Sequence, residues 1–270
     1  MKPLLIEILR GEPDAFRGRN RAREYLQARI LLALQDGGAF SNWAFLGDTA
    51  LRFLFGLPRY SEDLDFSVAP PGTEPRFKER LESVRMDLQR EAYHVDVRYR
   101  SRGAVVSAMV KFRGLLYELG LSPHDDEVFT VKVEIDSNPP AGASTETKLI
   151  RRFLMLNLFH LDRASLFAGK LHAVLTRKYT KGRDLYDLAW YLADPAWPAP
   201  NLDLLNHALG QTGWQGSTVT SDNWRTLVRN RLEIVDWQLA QSDVSPFLER
   251  SEDLMLVSEN TIFPLLEKKP

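Results

Sequence analysis

FLGDTALRFLFGLPRYSEDLDFSV, residues Phe45 to Val68, is the stretch that decides how this chain folds. Trp43 to Leu46 is short and apolar, as a buried strand is, and ends at Gly47. Thr49, Ala50 and Leu51 with Phe53, Leu54 and Phe55 then follow at helical spacing until Gly56 and Pro58 stop them. Leu64, Phe66 and Val68 alternate with Asp63, Asp65 and Ser67, the period of a half-buried strand, before Pro70-Pro71-Gly72 breaks it. The segment therefore reads as strand, glycine turn, helix and strand, with both aspartates on one face of the second strand.

Two carboxylates about 7 Å apart along a strand can hold hard divalent cations, and the amides of a glycine turn at a helix start favour phosphate oxygens. A third carboxylate from a neighbouring strand would complete a site for two magnesium ions about 4 Å apart. Val128 to Asp136 supplies candidates: Val131, Val133 and Ile135 point one way, Lys132, Glu134 and Asp136 the other. Glu134 and Asp136 are both open as the third ligand.

Working outward, Ala22 to Leu34 repeats at helical spacing up to Gly37-Gly38, and about Pro75 to Glu91 is a charged amphipathic helix. His94 to Arg100 and Val105 to Phe112 alternate as two strands joined at Ser101 to Gly103. Pro139-Pro140-Ala141-Gly142 marks a domain boundary. Beyond it helices are expected at about Asp162 to Arg177, Arg183 to Leu192, Leu202 to Leu209, Ser221 to Leu239 and on towards Leu256. The expectation is an α+β chain: a mixed or antiparallel sheet flanked by helices in residues 1–140, then a mostly helical domain in 141–270.

Composition bounds the chemistry. The 270 residues are 44% hydrophobic and 26% charged, the balance of a globular protein with a core. No apolar run approaches the roughly 20 residues of a membrane span, and Met1-Lys2-Pro3 opens no signal peptide, so a cytoplasmic protein without a membrane partner is expected. With no cysteine and five scattered histidines, thiolate chemistry and zinc sites are excluded and a metal would be held by oxygen. The net charge of −1 hides an asymmetry: Lys148 to Arg183 holds nine bases and one acid, while residues 184–270 hold six bases and thirteen acids. An anionic partner is expected against the basic stretch.

The quoted stretch closely resembles the signature of the AbiEii/AbiGii toxin family, within the DNA polymerase beta-like nucleotidyltransferase superfamily. The chain is similar to that family again at VKVEID (Val131 to Asp136), KLHAVLTR (Lys170 to Arg177) and RDLYDL (Arg183 to Leu188). The resemblance implies a cytoplasmic, magnesium-dependent nucleotidyltransferase that moves a nucleoside monophosphate from an NTP to RNA, the 3′ end of tRNA being the acceptor expected. It also implies a toxin that inhibits growth, acts in phage defence and has a cognate antitoxin. It makes Asp63 and Asp65 metal ligands, with Glu134 as the third, and gives Gly47, Thr49 and Lys132 to the nucleotide. It assigns Lys170 to the phosphates, with Arg177 one helix face along, and places Asp184 and Asp187 at the mouth of the site. Asp48 departs from the pattern, which usually has Gly or Ser there; an N-cap on the following helix would turn its charge away from the nucleotide. A fold that binds nucleotide, RNA or protein without turnover, and one that transfers phosphate to protein, would use the same residues.

Overall fold

The computed structural model describes residues 2–12 and 14–267, which form two compact units. The first holds the described residues through Phe55, Tyr60–Pro139 and Glu146–His160; the second holds Gly56–Arg59, Pro140–Thr145 and the described residues from Leu161 on.

In the first unit the chain runs α1 (Lys2–Leu9), α2 (Ala15–Asp36), β1 (Trp43–Leu46), α3 (Gly47–Phe55), β2 (Asp63–Val68), α4 (Phe77–Arg90), β3 (Val95–Arg102), β4 (Val105–Arg113), the single turn α5 (Leu115–Glu118) and β5 (Val128–Asp136). β6 (Thr145–Arg152) and β7 (Leu154–Leu161) then return to the same sheet, whose order is β3-β4-β5-β2-β1-β7-β6. β1 and β2 are antiparallel, β2 and β5 parallel, and β3, β4 and β5 antiparallel in succession. The sheet is mixed, as expected for an α+β fold.

One face of the sheet is apolar because the alternating positions are: Leu64, Phe66, Val131, Val133, Ala108 and Val110 are all buried. α2 and α4 pack on strands β3 to β5. At its edge Trp43 stacks on Phe77 with ring centroids 5.5 Å apart and donates to the Pro75 carbonyl at 2.9 Å. α2 starts where the Asp14 carboxylate accepts from the Arg17 amide at 2.8 Å. Within α2, Glu24 is buried between Arg52 of α3 and Arg152 of β6. Burial alone would raise that carboxyl, but the two guanidiniums outweigh it and hold it below the usual range.

The helical unit runs α6 (Arg163–Thr176), α7 (Gly182–Ala193), α8 (Leu202–Gln211), α9 (Trp224–Leu232), α10 (Trp237–Val244) and α11 (Glu259–Glu267). Asp162 caps α6 by accepting from the Ser165 amide at 2.8 Å. α7 crosses α10 at Gly182, where an added Cβ would stand 1.7 Å from the Ala240 carbonyl oxygen, so only glycine permits the approach.

Three expectations differ from the structure. The residues after the turn at 139–142 open with the strands β6 and β7, not with helices. The helix expected over Ser221 to Leu239 is two, because Asp236 leaves the helix and caps α10 through the Leu239 amide at 3.0 Å. The stretch towards Leu256 is a 3-10 helix, Ser251–Leu256.

Candidate active site

β1 ends at Leu46, opposite Asp65 of β2, and the chain turns at once into α3. The turn needs Gly47 twice over: its φ is +78°, and a Cβ there would lie 2.6 Å from Asp65 Oδ2. The Asp65 carboxylate thus occupies the space that a side chain at position 47 would need. The buried Thr49 hydroxyl donates to the Asp63 carbonyl at 2.5 Å, fastening the first turn of α3 to the start of β2. That hydroxyl is therefore engaged with the backbone, and what Thr49 offers a nucleotide is its place among the amides that the first helical turn leaves without intrahelical acceptors.

Asp63 and Asp65 are half-buried and share the face opposite Leu64 and Phe66. The parallel register sets Lys132 beside Asp63 and Glu134 beside Asp65. Asp136 lies one step further, beside Ser67, and accepts from the Asn138 amide at 2.9 Å. Of the two candidates, Glu134 is thus the one adjacent to the aspartate pair. Lys132 Nζ stands 2.7 Å from Glu134 Oε2. Burial would lower the Lys132 ammonium, but Glu134, Asp63 and Asp65 outweigh it and hold it above its usual value.

Asp48 follows the glycine turn directly. α3 begins at Gly47, so Asp48 sits within the first helical turn, and its charge acts on Asp65. Burial, then Asp63, Asp48 and Glu134, push the Asp65 carboxyl from 3.8 up to about 8, with Lys132 opposing. Such an excess of negative oxygen donors with no soft ligand fits a hard divalent cation such as magnesium.

The same excess makes a stability prediction. Between about pH 4 and pH 8 the folded chain keeps a proton on Asp65 that the unfolded chain has lost, so folding stability should fall as pH rises through that window in chelator. Asp65→Asn should therefore match wild type near pH 4 and exceed it at pH 8 by about 2–4 kcal/mol, below the full linkage value because the half-buried carboxylate keeps some contact with solvent. Asp48→Ser should give a smaller gain of the same sign. Urea midpoints in chelator at the two pH values decide this; serine is itself a good N-cap, so the cap is tested by Asp48→Ala, where a loss of about 0.5–2 kcal/mol would assign the carboxylate to the helix start.

The helical unit carries a second constellation. Lys170 Nζ on α6 lies 2.8 Å from Asp184 Oδ1 and 2.7 Å from Asp187 Oδ2, both on α7. Arg177 reaches the other oxygen of Asp184, and Arg59 holds Asp187 with two hydrogen bonds of 2.6 Å. Lys170, Asp184, Asp187 and Arg59 are all buried. Lys170, Arg177, Asp184 and Asp187, the four candidates of this unit, thus pair with one another, and Arg59, whose only signal in the sequence is a charge between Pro58 and Tyr60, is not among the candidates. The basic stretch is also less free than its composition: Lys170 and Arg177 are paired here, Arg152 is paired with Glu24, and Lys148 donates to the Leu54 carbonyl.

The family model described as "Nucleotidyl transferase AbiEii toxin, Type IV TA system" matches residues 29–257. Among solved structures, the "putative nucleotidyltransferase from H. pylori" is 20% identical, covering 89% of this chain and 94% of that one with a TM-score of 0.48. JHP933 from Helicobacter pylori is 18% identical, covering 90% and 93% with a TM-score of 0.49. No curated protein matches the chain.

Proposed function

Since this chain belongs to the family of AbiEii nucleotidyltransferase toxins of type IV toxin–antitoxin systems, we propose that it transfers a nucleoside monophosphate from an NTP to RNA, with the 3′ end of tRNA as acceptor, in a magnesium-dependent reaction. The observation that carries this reading is the set Asp63, Asp65 and Glu134 on one sheet face, with the Gly47 turn at the head of α3 beside Asp65.

Asp63, Asp65 and Glu134 would hold the cation. When bound, magnesium neutralises charge that develops on the α-phosphate and favours the attacking oxygen. The first-turn amides of α3 receive the polyphosphate oxygens, and the absence of a side chain at Gly47 keeps the backbone close enough to do so. Lys132, through its 2.7 Å contact, fixes the direction of Glu134. The charge of Lys170 stays a candidate for the nucleotide phosphates, although its ammonium already serves Asp184 and Asp187.

A cytoplasmic location, a cognate antitoxin and growth inhibition on expression, in the setting of phage defence, belong to the same proposal; no described helix is long and apolar enough to cross a membrane. Incubating the chain with each radiolabelled NTP, magnesium, tRNA and a protein acceptor tests it. Label in RNA supports the reading, and label in protein would make the chain a protein phosphotransferase. Label in neither would leave a binding module, the reading that Asp48, a fixed negative charge in the first turn of α3, favours.

A further inference from the structure

The register of the sheet extends the carboxylate face sideways. Asp63 and Asp65 of β2 lie beside Lys132 and Glu134 of β5, these lie beside Met109 and Ser107 of β4, and these beside Arg98 and Arg100 of β3. Residues opposite one another in register share a face, so two rows run across four strands from the aspartates to the two arginines. Exposure rises along them: the residues on β2, β5 and β4 are half-buried, while Arg98 and Arg100 are exposed.

The same face of β3 and β4 carries Lys111, beside Asp96, and Arg113. Among the described side chains of that face this is four bases against one acid, and the acid, Asp96, is taken by Arg113 at 2.6 Å. Among the described residues neither Arg98 nor Arg100 forms an ion pair. Charged side chains on an edge strand also deter strand pairing between molecules, and that need alone would put charge anywhere along β3. It gives no reason for both guanidiniums to fall in register with Asp63 and Asp65.

We propose that these rows are the track by which the single-stranded end of the acceptor RNA reaches the carboxylates, with Arg98 and Arg100 holding its backbone phosphates. This rests on the reading that the acceptor is RNA. The chemistry suits a phosphodiester chain: guanidiniums bind phosphate through paired donors, and two residues apart on one strand they stand about 7 Å from each other, comparable with successive phosphates of an extended strand. Three strand spacings separate β3 from β2, about 14 Å, which leaves room for a few nucleotides between the grip and the reacting end. Contacts of this kind read no bases, so the track selects a flexible 3′ end and leaves its sequence to other features. The track lies outside the basic stretch of residues 148–183, where composition alone would put the RNA.

The test is the full-length double variant Arg98→Gln, Arg100→Gln, assayed with a fluorescein-labelled bacterial tRNA pool, magnesium and the NTP that wild type incorporates. The expected result is a KM for tRNA raised at least tenfold, with kcat, the NTP KM and the melting temperature unchanged. The salt dependence of tRNA binding should lose about 1.4 from its logarithmic slope, two single-strand phosphate contacts' worth. Lys178→Gln, Lys181→Gln, two exposed lysines of the basic stretch, is the comparison. A wild type that labels RNA while the arginine variant keeps its KM and slope overturns the track and leaves the RNA reading standing. Loss confined to the lysine variant does the same and moves the RNA to the basic stretch. A wild type that neither labels nor binds the tRNA pool overturns both.

Discussion

Asp63→Asn and Asp65→Asn are each expected to lower nucleotidyl transfer about a thousandfold or more while leaving the chain folded. The two residues share a sheet face with Glu134, and losing one carboxylate from a hard-cation site removes charge stabilisation of several kcal/mol at the transferring phosphate. Neither side chain supports the core, which lies on the other face with Leu64 and Phe66. For Asp65 the structural effect has the opposite sign to the catalytic one, since its carboxyl is pushed up to about 8 by burial and by the neighbouring acids. An Asp65→Asn protein that is inactive and, in chelator at pH 8, harder to unfold would show that the carboxylate is kept for chemistry at a cost in stability. Single-turnover rates with magnesium, alongside urea unfolding in chelator, measure both quantities. Activity within tenfold of wild type in both variants would remove the pair from the reaction.

Breaking the buried network of the helical unit is expected to destabilise the protein by about 3–5 kcal/mol, because each single change takes an opposite charge away from charges held in the interior. In Asp187→Ala the Arg59 guanidinium, fully buried, loses both its 2.6 Å partners. In Lys170→Met, Asp184 and Asp187 lose the ammonium between them. Removing Arg59 and Asp187 together should cost less than the sum of the two single losses, which a double-mutant cycle on denaturant midpoints reads directly. The Lys170 variant also tests the phosphate role expected from sequence. Calorimetry with NTP and magnesium, corrected for the folded fraction, should show weakened binding if the ammonium reaches the nucleotide. Affinity equal to wild type would confine Lys170 to joining α6 and α7.

The elements that carry the carboxylates were legible because their burial is one-sided. β2 and β5 alternate cleanly, and Gly47 and Pro58 punctuate α3, so strand, turn and helix follow from periodicity. β6 escaped the same reading because it is exposed along most of its length and shows no alternation, and it follows a Pro-Pro-Ala-Gly turn that reads as the end of a domain. The break between α9 and α10 has neither proline nor glycine; it rests on one aspartate preferring to cap, a choice that tertiary packing decides. In the candidate site, Asp63, Asp65, Lys132 and Glu134 could be placed from alternation, since two strands fix the face of every residue on them. Asp48 could not, because one residue of shift at a helix start separates a cap from a first-turn charge. Buried ion pairs such as Glu24 with Arg52 and Arg59 with Asp187 leave no periodic trace, since their partners meet only after the chain has folded back.

Arg59 sits between α3 and β2 yet belongs to the helical unit, where it holds Asp187 and forms a β-bridge with Leu248. Its carboxylate partner is 128 residues downstream. On a ribosome adding about 5–20 residues per second, that is a wait of roughly 6–25 s with an unpaired guanidinium on the nascent chain. β1 waits in a similar way for β7, whose His160 lies beside Phe45. A chain released early, by a premature stop or a stalled ribosome, would emerge with the strand of Asp63 and Asp65 made and the partners of its buried charges still unwritten. Such fragments should be cleared by proteases, so that the transfer proposed for this protein appears in the cell only once Asp187 has been made.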